Sequence, residues 1–286
     1  MVTRLVFACL LMLAGYLQTS LAAESGDENF IVMASTTSTR DSGLLDYLLP
    51  AFTEKTGIAV RVIARGTGQA LEMGRRGDAD LLLVHDRASE EEFIAEGFGS
   101  LRRAVMHNDF VLVGPIDDPA GIAGMTDALA AMKQLADHCG HFISRADDSG
   151  THKAETRLWR GAGVAIEKAR PPCYIESGSG MGATLNMAAG MSGYTLSDRG
   201  TWLSFRNRSG MQILVEGDPP LFNPYSVMLV NPERHPHVRA AEAAALIDWM
   251  VSAEGQKLIG AFRVDGLPLF FPDAAPEAAP DAAIAK

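Results

Sequence analysis

Positive charge is what this chain has least of. Its 25 Lys and Arg are outnumbered by 35 Asp and Glu, giving a formal net charge of −10. An acidic surface repels phosphate backbones and anionic headgroups, which argues against nucleic acid or an anionic membrane as partner. Beyond the N-terminal run, no stretch is long and apolar enough to span a bilayer. Catalytic signatures are missing as well. There is no Gly-x-Ser-x-Gly elbow, no His-Glu-x-x-His helix and no Walker lysine.

Cysteine is scarce too, with three in the chain. Cys9 lies in an N-terminal apolar run, Leu5 to Leu17, which follows Arg4 and precedes Thr19-Ser-Leu-Ala22. A basic residue, a short apolar core and small residues are the parts of a secretory signal, so 1–22 reads as a signal peptide and the protein as periplasmic. A retained anchor is the alternative. Export leaves Cys139 and Cys173, each just before an apolar run. If those runs are neighbouring strands, an oxidising compartment would join the two sulfurs; separate buried thiols are the alternative. His138, Cys139 and His141 superficially resemble a metal site. With no fourth ligand nearby, a surface turn is the better reading, and no metal is expected.

What the chain does have is a repeated loop. Four times an apolar run breaks into Gly, Ser and Thr and then resumes with helical spacing: Ile31 to Thr39, Val62 to Gln69, Phe142 to Thr151 and Tyr174 to Gly182. A strand turning directly into a helix leaves the first helical N–H groups without intrahelical partners. Small residues let an anion approach them closely. Converging loops of this kind would hold an anion with few cations. Arg145-x-Asp147-x-Ser149-Gly150-Thr151 is the sharpest of them. A guanidinium offers a planar fork to paired oxygens, Asp147 can orient it, and Ser149, Gly150 and Thr151 add donors. The bland alternative is a surface ion pair beside ordinary helix caps. Thr36, Thr37 and Thr67 occupy matching positions after other strands, and Ser38 and Ser179 are further candidates.

Strand and helix patterns alternate. Strands are expected at 30–34, 60–64, 80–85 and 109–115, with helices at 44–56, 68–76 and 90–96. Pro50 predicts a kink or an interruption in the first helix, and the βαβαβα order implies a parallel sheet. A second set follows, with strands at 141–144, 173–176 and 211–215 and helices at 126–136, 151–160 and 181–189. A long return strand, 222–232, precedes helices at 238–251 and 253–262. Two α/β sets joined by two extended segments predict a discontinuous first lobe, 23–113 and 223–272, an inserted second lobe, 114–222, and a ligand cleft between them. One large domain without a cleft is the alternative. The Ala- and Pro-rich tail, 273–286, is expected to be disordered.

Several of these segments together resemble the tungstate-binding periplasmic proteins of ABC importers, a class II solute-binding fold related to the molybdate and phosphate binders. The resemblance runs from about Ile31 to Pro272. It rests on Ser35-Thr-Thr-Ser38 with Asp41-Ser-Gly-Leu-Leu45, on Gly66-Thr-Gly-Gln-Ala-Leu71 and on Ser144-Arg-Ala-Asp-Asp-Ser-Gly-Thr-His152. Tyr194-Thr-Leu-Ser-Asp-Arg-Gly200 and Asn223-Pro-Tyr225 match as well. Departures are Ser35 for Thr, Ala146 for Gly, Ser179 for Gln and Ser226 for Gly. The resemblance implies a two-lobed α/β protein that binds a tetrahedral oxyanion through Thr36, Thr37, Arg145 and Thr151. It also implies delivery of tungstate to an inner-membrane ABC permease, with no cofactor and no catalysis, and a monomer is expected. Molybdate or phosphate is the alternative ligand. In another class altogether, a secreted serine-type hydrolase would use the Ser149/His152 region.

Overall fold

Short, almost wholly apolar runs set the centre of the sheet. The computed structural model describes residues 29–166, 173–208 and 210–274. The expected signal peptide and the tail beyond Ala274 lie outside the described residues. Strand β1 (Phe30–Thr36) runs between β2 (Ala59–Arg65) and β3 (Leu81–Val84), parallel to both. All four β3 residues are buried, as befits a strand covered on both faces. The helices that follow these strands are α1 (Thr37–Asp41), α2 (Leu44–Thr56), α3 (Thr67–Arg76) and α4 (Arg87–Ala95). Helix α2 buries Leu44, Leu45, Leu48, Leu49 and Phe52 and stops at Gly57, whose φ of 72° suits glycine. It runs through Pro50 without interruption. Pro50 sits on the exposed face, where water can satisfy the carbonyl that its missing N–H leaves free.

The rest of the sheet corrects the expectation of parallel strands alone. Strand β4 (Gly99–Pro115) is 17 residues long, ten of them before the predicted start. From Gly99 to Asp109 it pairs antiparallel with β9 (Phe222–Val230), which pairs antiparallel with β3 in turn. A two-residue β12 (Phe271–Pro272) closes the other edge of β4. From Phe110 onward β4 leaves that sheet and pairs with β7 (Thr195–Asp198) and β8 (Met211–Val215). One strand therefore serves both halves of the molecule.

The second half adds α5 (Ala128–His138), β5 (Phe142–Ser144), α6 (Gly150–Gly161), β6 (Tyr174–Glu176), α7 (Met181–Met191) and α8 (Arg199–Ser204). Strands β5 and β6 pair in parallel. Their entry ends bring Cys139 and Cys173 together in a disulfide, Cα to Cα 4.7 Å. Helices α9 (Ala240–Val251) and α10 (Ala253–Ala261) return to the first half, and a small hairpin of β10 (Arg263–Val264) and β11 (Leu267–Pro268) follows. Asp273 and Ala274 are not loose: their N–H groups donate to the Val105 carbonyl and to Gln256. One core cluster draws only on residues between Phe110 and Leu221. Another spans both halves, from Ile31 and Leu48 through Met181 and Trp202 to Phe270. Among the described residues no helix is long and apolar enough to cross a membrane.

Candidate functional site: an arginine-capped cavity

Strand β5 ends at Ser144 and hands the chain to Arg145, a guanidinium only 3% exposed. Asp147 holds it, accepting from Nη2 at 2.6 Å and from Nε at 3.2 Å, while Nη1 lies 3.4 Å from the Thr151 hydroxyl. Five N–H groups are available to an arginine, so two remain for something else. The loop behind it is pinned by Glu155 of α6, which accepts from Ser144, Tyr174 and Trp159. Burial pushes the Glu155 carboxyl up to about 7 against the pull of those three donors.

Arg145 opens onto a cavity of about 220 Å³, roughly the share of seven liquid water molecules. Thr37, Ser38 and Asp41 of α1 line it, with Gly180–Ala183 at the start of α7 and Thr201 of α8. Gly180 caps α7 without a side-chain bond, so the first amides of that helix are not answered by a side-chain cap. The cavity thus combines one buried cation, a half-buried hydroxyl (Thr37) and a glycine-rich helix start. A small anion is what such a set can hold.

The predicted residues divide. Thr37, Ser38 and Arg145 meet at the cavity. Thr36 faces its own helix: Oγ1 accepts from the Thr39 N–H and lies 2.6 Å from Thr39 Oγ1. Ser149 caps α6 through the His152 N–H, the bland reading of that residue. Ser179 turns to its own loop, its hydroxyl donating to the Ser177 carbonyl. Gly150 is a packing residue, since a Cβ there would lie 2.6 Å from the His85 ring and 3.1 Å from Thr67 Oγ1. Thr67 is fully buried with no partner for its hydroxyl. The seam between α3 and the loop before α6 is equally tight at Gly68, where a Cβ would meet the Asp148 carboxylate at 2.4 Å. Thr151 is 1% exposed, with its hydroxyl turned to Arg145.

Reasoning from sequence missed Asp41, Thr201 and, above all, His85. The His85 ring is 2% exposed, stacks on Tyr225 at 4.7 Å and contacts Ser38 and Asn223. A motif search had no handle on it, because a lone histidine after an apolar strand carries no pattern. For hydrolase chemistry the geometry is poor: His152 Nδ1 accepts from the Asp148 N–H, and the Ser149 hydroxyl accepts from the His152 main-chain N–H rather than facing its ring. Among the described residues no three His, Cys, Asp or Glu side chains gather closely enough to hold a metal.

Residues 20–254 match the model of the PBP superfamily domain. The chain is 49% identical to the tungstate-binding protein TupA of Peptoclostridium acidaminophilum over 249 residues, 86% of each protein. This chain belongs to the TupA family. Two solved structures agree. The TupA tungstate-binding protein of Desulfovibrio alaskensis G20 superimposes with a TM-score of 0.77 at 45% identity, covering 86% of this chain and 99% of that one. The tungstate ABC transporter structure from Geobacter sulfurreducens gives 0.75 at 48% identity, with coverage of 82% and 99%. TupA membership fixes the architecture as a two-lobed class II periplasmic-binding-protein fold with a hinge and an interlobe cleft. The disulfide and the His85 contacts are read from this chain's own residues.

Proposed function

We propose that this protein is an extracytoplasmic solute-binding protein that captures tungstate in the Arg145 cavity and delivers it to an inner-membrane ABC permease. The observation that carries this reading is the buried guanidinium with one carboxylate partner and N–H groups to spare, facing a small cavity rich in hydroxyl and amide donors. Tungstate and molybdate carry no proton near neutral pH, so they accept hydrogen bonds and offer none. A cage of donors fits them better than it fits hydrogen phosphate, which needs an acceptor as well. Asp147 and Asp41 are the carboxylates that would serve as that acceptor, but Arg145 occupies the first and Arg40 the second. The preference for tungstate over molybdate comes from the relatives' names alone.

In this reading Arg145 supplies the charge, Thr37 a hydroxyl, and the first amides of α7 further donors. Thr67 and Thr151 stand behind them at the seam. Residues 23–113 and 223–272 form one lobe and 114–222 the other, hinged at the crossovers of β4 and β9. Residues 1–22 direct export to the periplasm, and the mature protein works as a monomer without catalysis. An anion touching both lobes favours the closed form, which is what the permease would recognise.

Calorimetry on the mature protein tests the reading. One tungstate per chain is expected, with affinity in the nanomolar range if about seven charge-assisted bonds form at roughly 1.5–2 kcal/mol each. Small-angle scattering should show a smaller radius of gyration with saturating tungstate. No heat with tungstate or molybdate, together with turnover of an ester, would put the protein in the hydrolase class instead.

A further inference from the structure

Behind the cavity lies a row of buried polar groups that ends on the crossover strands. Ser38 Oγ is 3.4 Å from His85 Nε2, and His85 Nδ1 is 2.9 Å from Asn223 Oδ1. Asn223 Nδ2 donates to Asn108 Oδ1 at 2.7 Å. Asn108 and Asn223 are register partners on β4 and β9, two residues before Phe110, where β4 changes sheets. At the other end, Ser38 Oγ lies 3.1 Å from Thr36 Oγ1, which in turn meets Thr39 Oγ1.

A donor must face an acceptor at every step, so one end of the row dictates the rest. Because Asn223 spends its amide N–H groups on Asn108 Oδ1 and the Tyr225 hydroxyl, its oxygen is what His85 meets. The hydrogen of the neutral ring then sits on Nδ1, and Nε2 carries a bare lone pair. Only the Ser38 hydroxyl hydrogen can fill it. Burial holds the His85 pKa below its ordinary value, against Asp198 and Asp86 and with help from Arg145, the charged groups that face the ring. Tyr225 and Gly150 pack on the ring and fix its plane.

We propose that His85 is a positioning residue for the anion site: through the Asn223–Asn108 pair it is fixed as the Nδ1–H tautomer, and it draws the Ser38 hydroxyl hydrogen inward, away from the cavity. Ser38 then lines the cavity without donating its hydroxyl to the anion, and Thr37 is the α1 hydroxyl that does. The donor set of the cavity is in this way governed from the crossover strands. This inference rests on the anion-binding reading above.

Two measurements on the full mature chain test it. Long-range proton–nitrogen correlation spectra of the histidines, recorded without anion, should show His85 neutral with hydrogen on Nδ1. Hydrogen on Nε2, or on both nitrogens, overturns the proposal. Calorimetry with tungstate then reads the coupling. Ser38→Ala should change affinity less than about twofold in the native background, whereas Thr37→Val should lower it about tenfold. In a His85→Phe background, which keeps an aromatic face for Tyr225, the Ser38 hydroxyl is released to the anion, and adding Ser38→Ala should cost fivefold or more. An equal Ser38→Ala effect in both backgrounds overturns the proposal. Should His85→Phe fail to fold, the spectrum of the native chain still decides. A native chain that binds none of tungstate, molybdate, sulfate or phosphate defeats the anion reading itself, whereas native binding with an Nε2–H ring defeats the relay alone.

Discussion

Among the arginines that line cavities and hold carboxylates, Arg145 and Arg199 are suited to opposite tasks. Arg145 faces about 220 Å³ and has one acidic partner, Asp147; the other acid of that cavity, Asp41, is paired with Arg40. Arg199 faces a larger, mostly apolar cavity of about 700 Å³ beside His107 and Phe222. Its Nε and Nη2 are taken by both oxygens of Asp109, and Nη2 is shared with Glu216. The hydrogen bond from Arg199 to Asp109 is the leading cause that raises its pKa still further. With two carboxylates around one guanidinium, the local charge is already negative, and an incoming anion gains nothing there. Cavity size is thus a poor guide to anion binding; the number of acids around the cation is the better one.

Substituting the two arginines tests that contrast most sharply. Arg145→Ala should weaken tungstate binding by about 2–5 kcal/mol, since the anion loses its one close full charge. Arg199→Ala should leave the affinity within about threefold; a large loss there would erase the distinction. Next in size is the support behind Arg145, which Arg199 lacks. Reducing Cys139–Cys173, a closed loop with sequence separation 34, should cost about 4 kcal/mol of stability in the chain-entropy model. Denaturant titration with and without reductant measures it.

The carboxylate under the Arg145 loop has its own signature. Glu155 and Glu90 are both raised to about 7 by burial. An acid whose folded pKa exceeds its unfolded value near 4.5 holds its proton more tightly when folded. Its contribution is complete below the unfolded value and is lost as pH rises through about 7. Stability should therefore fall between about pH 4.5 and 7, by up to about 3 kcal/mol per group. Glu155→Gln should flatten the part due to Glu155, and an unchanged slope would show that this carboxylate is already ionised in the fold. The smallest effect is at a neutral donor: Thr37→Val should cost about 1–2 kcal/mol in tungstate affinity, read by calorimetry beside Arg145→Ala.

Local pattern carried most of the elements and only part of the site. Helices α2 and α3 were legible because apolar spacing and glycine stops agree there, whereas the short α1 was not read. The first ten residues of β4 were not. Gly99 to Asn108 includes Arg102, Arg103 and His107 and has no clean alternation, and its strand form comes from pairing with β9 through two register shifts. Thr195–Asp198 is strand because β4 covers it, while its own composition reads as a loop. At the site, Arg145 with Asp147 was visible because both lie within three residues. Hydroxyls were harder. Thr36, Ser149 and Ser179 bond within their own loops, a choice that composition cannot reveal. Thr201 and His85 reach the site from far along the chain, so only the folded topology brings them in.

The glycine at 150 sets a clearance. The His85 ring is pinned on one side by Asn223 and on the other by Tyr225, so a methyl group at 150 has no flexible neighbour to displace. Gly150→Ala would act as a wedge of one carbon between the β3–α4 turn and the start of α6. At Gly68 the obstructing atom is the end of the exposed Asp148 side chain, which can swing aside. Two glycines on one seam thus differ as engineering handles. The first would prop the lobes apart, and with them Thr37 and Arg145, and so weaken both the hold on the anion and the closed shape offered to a permease.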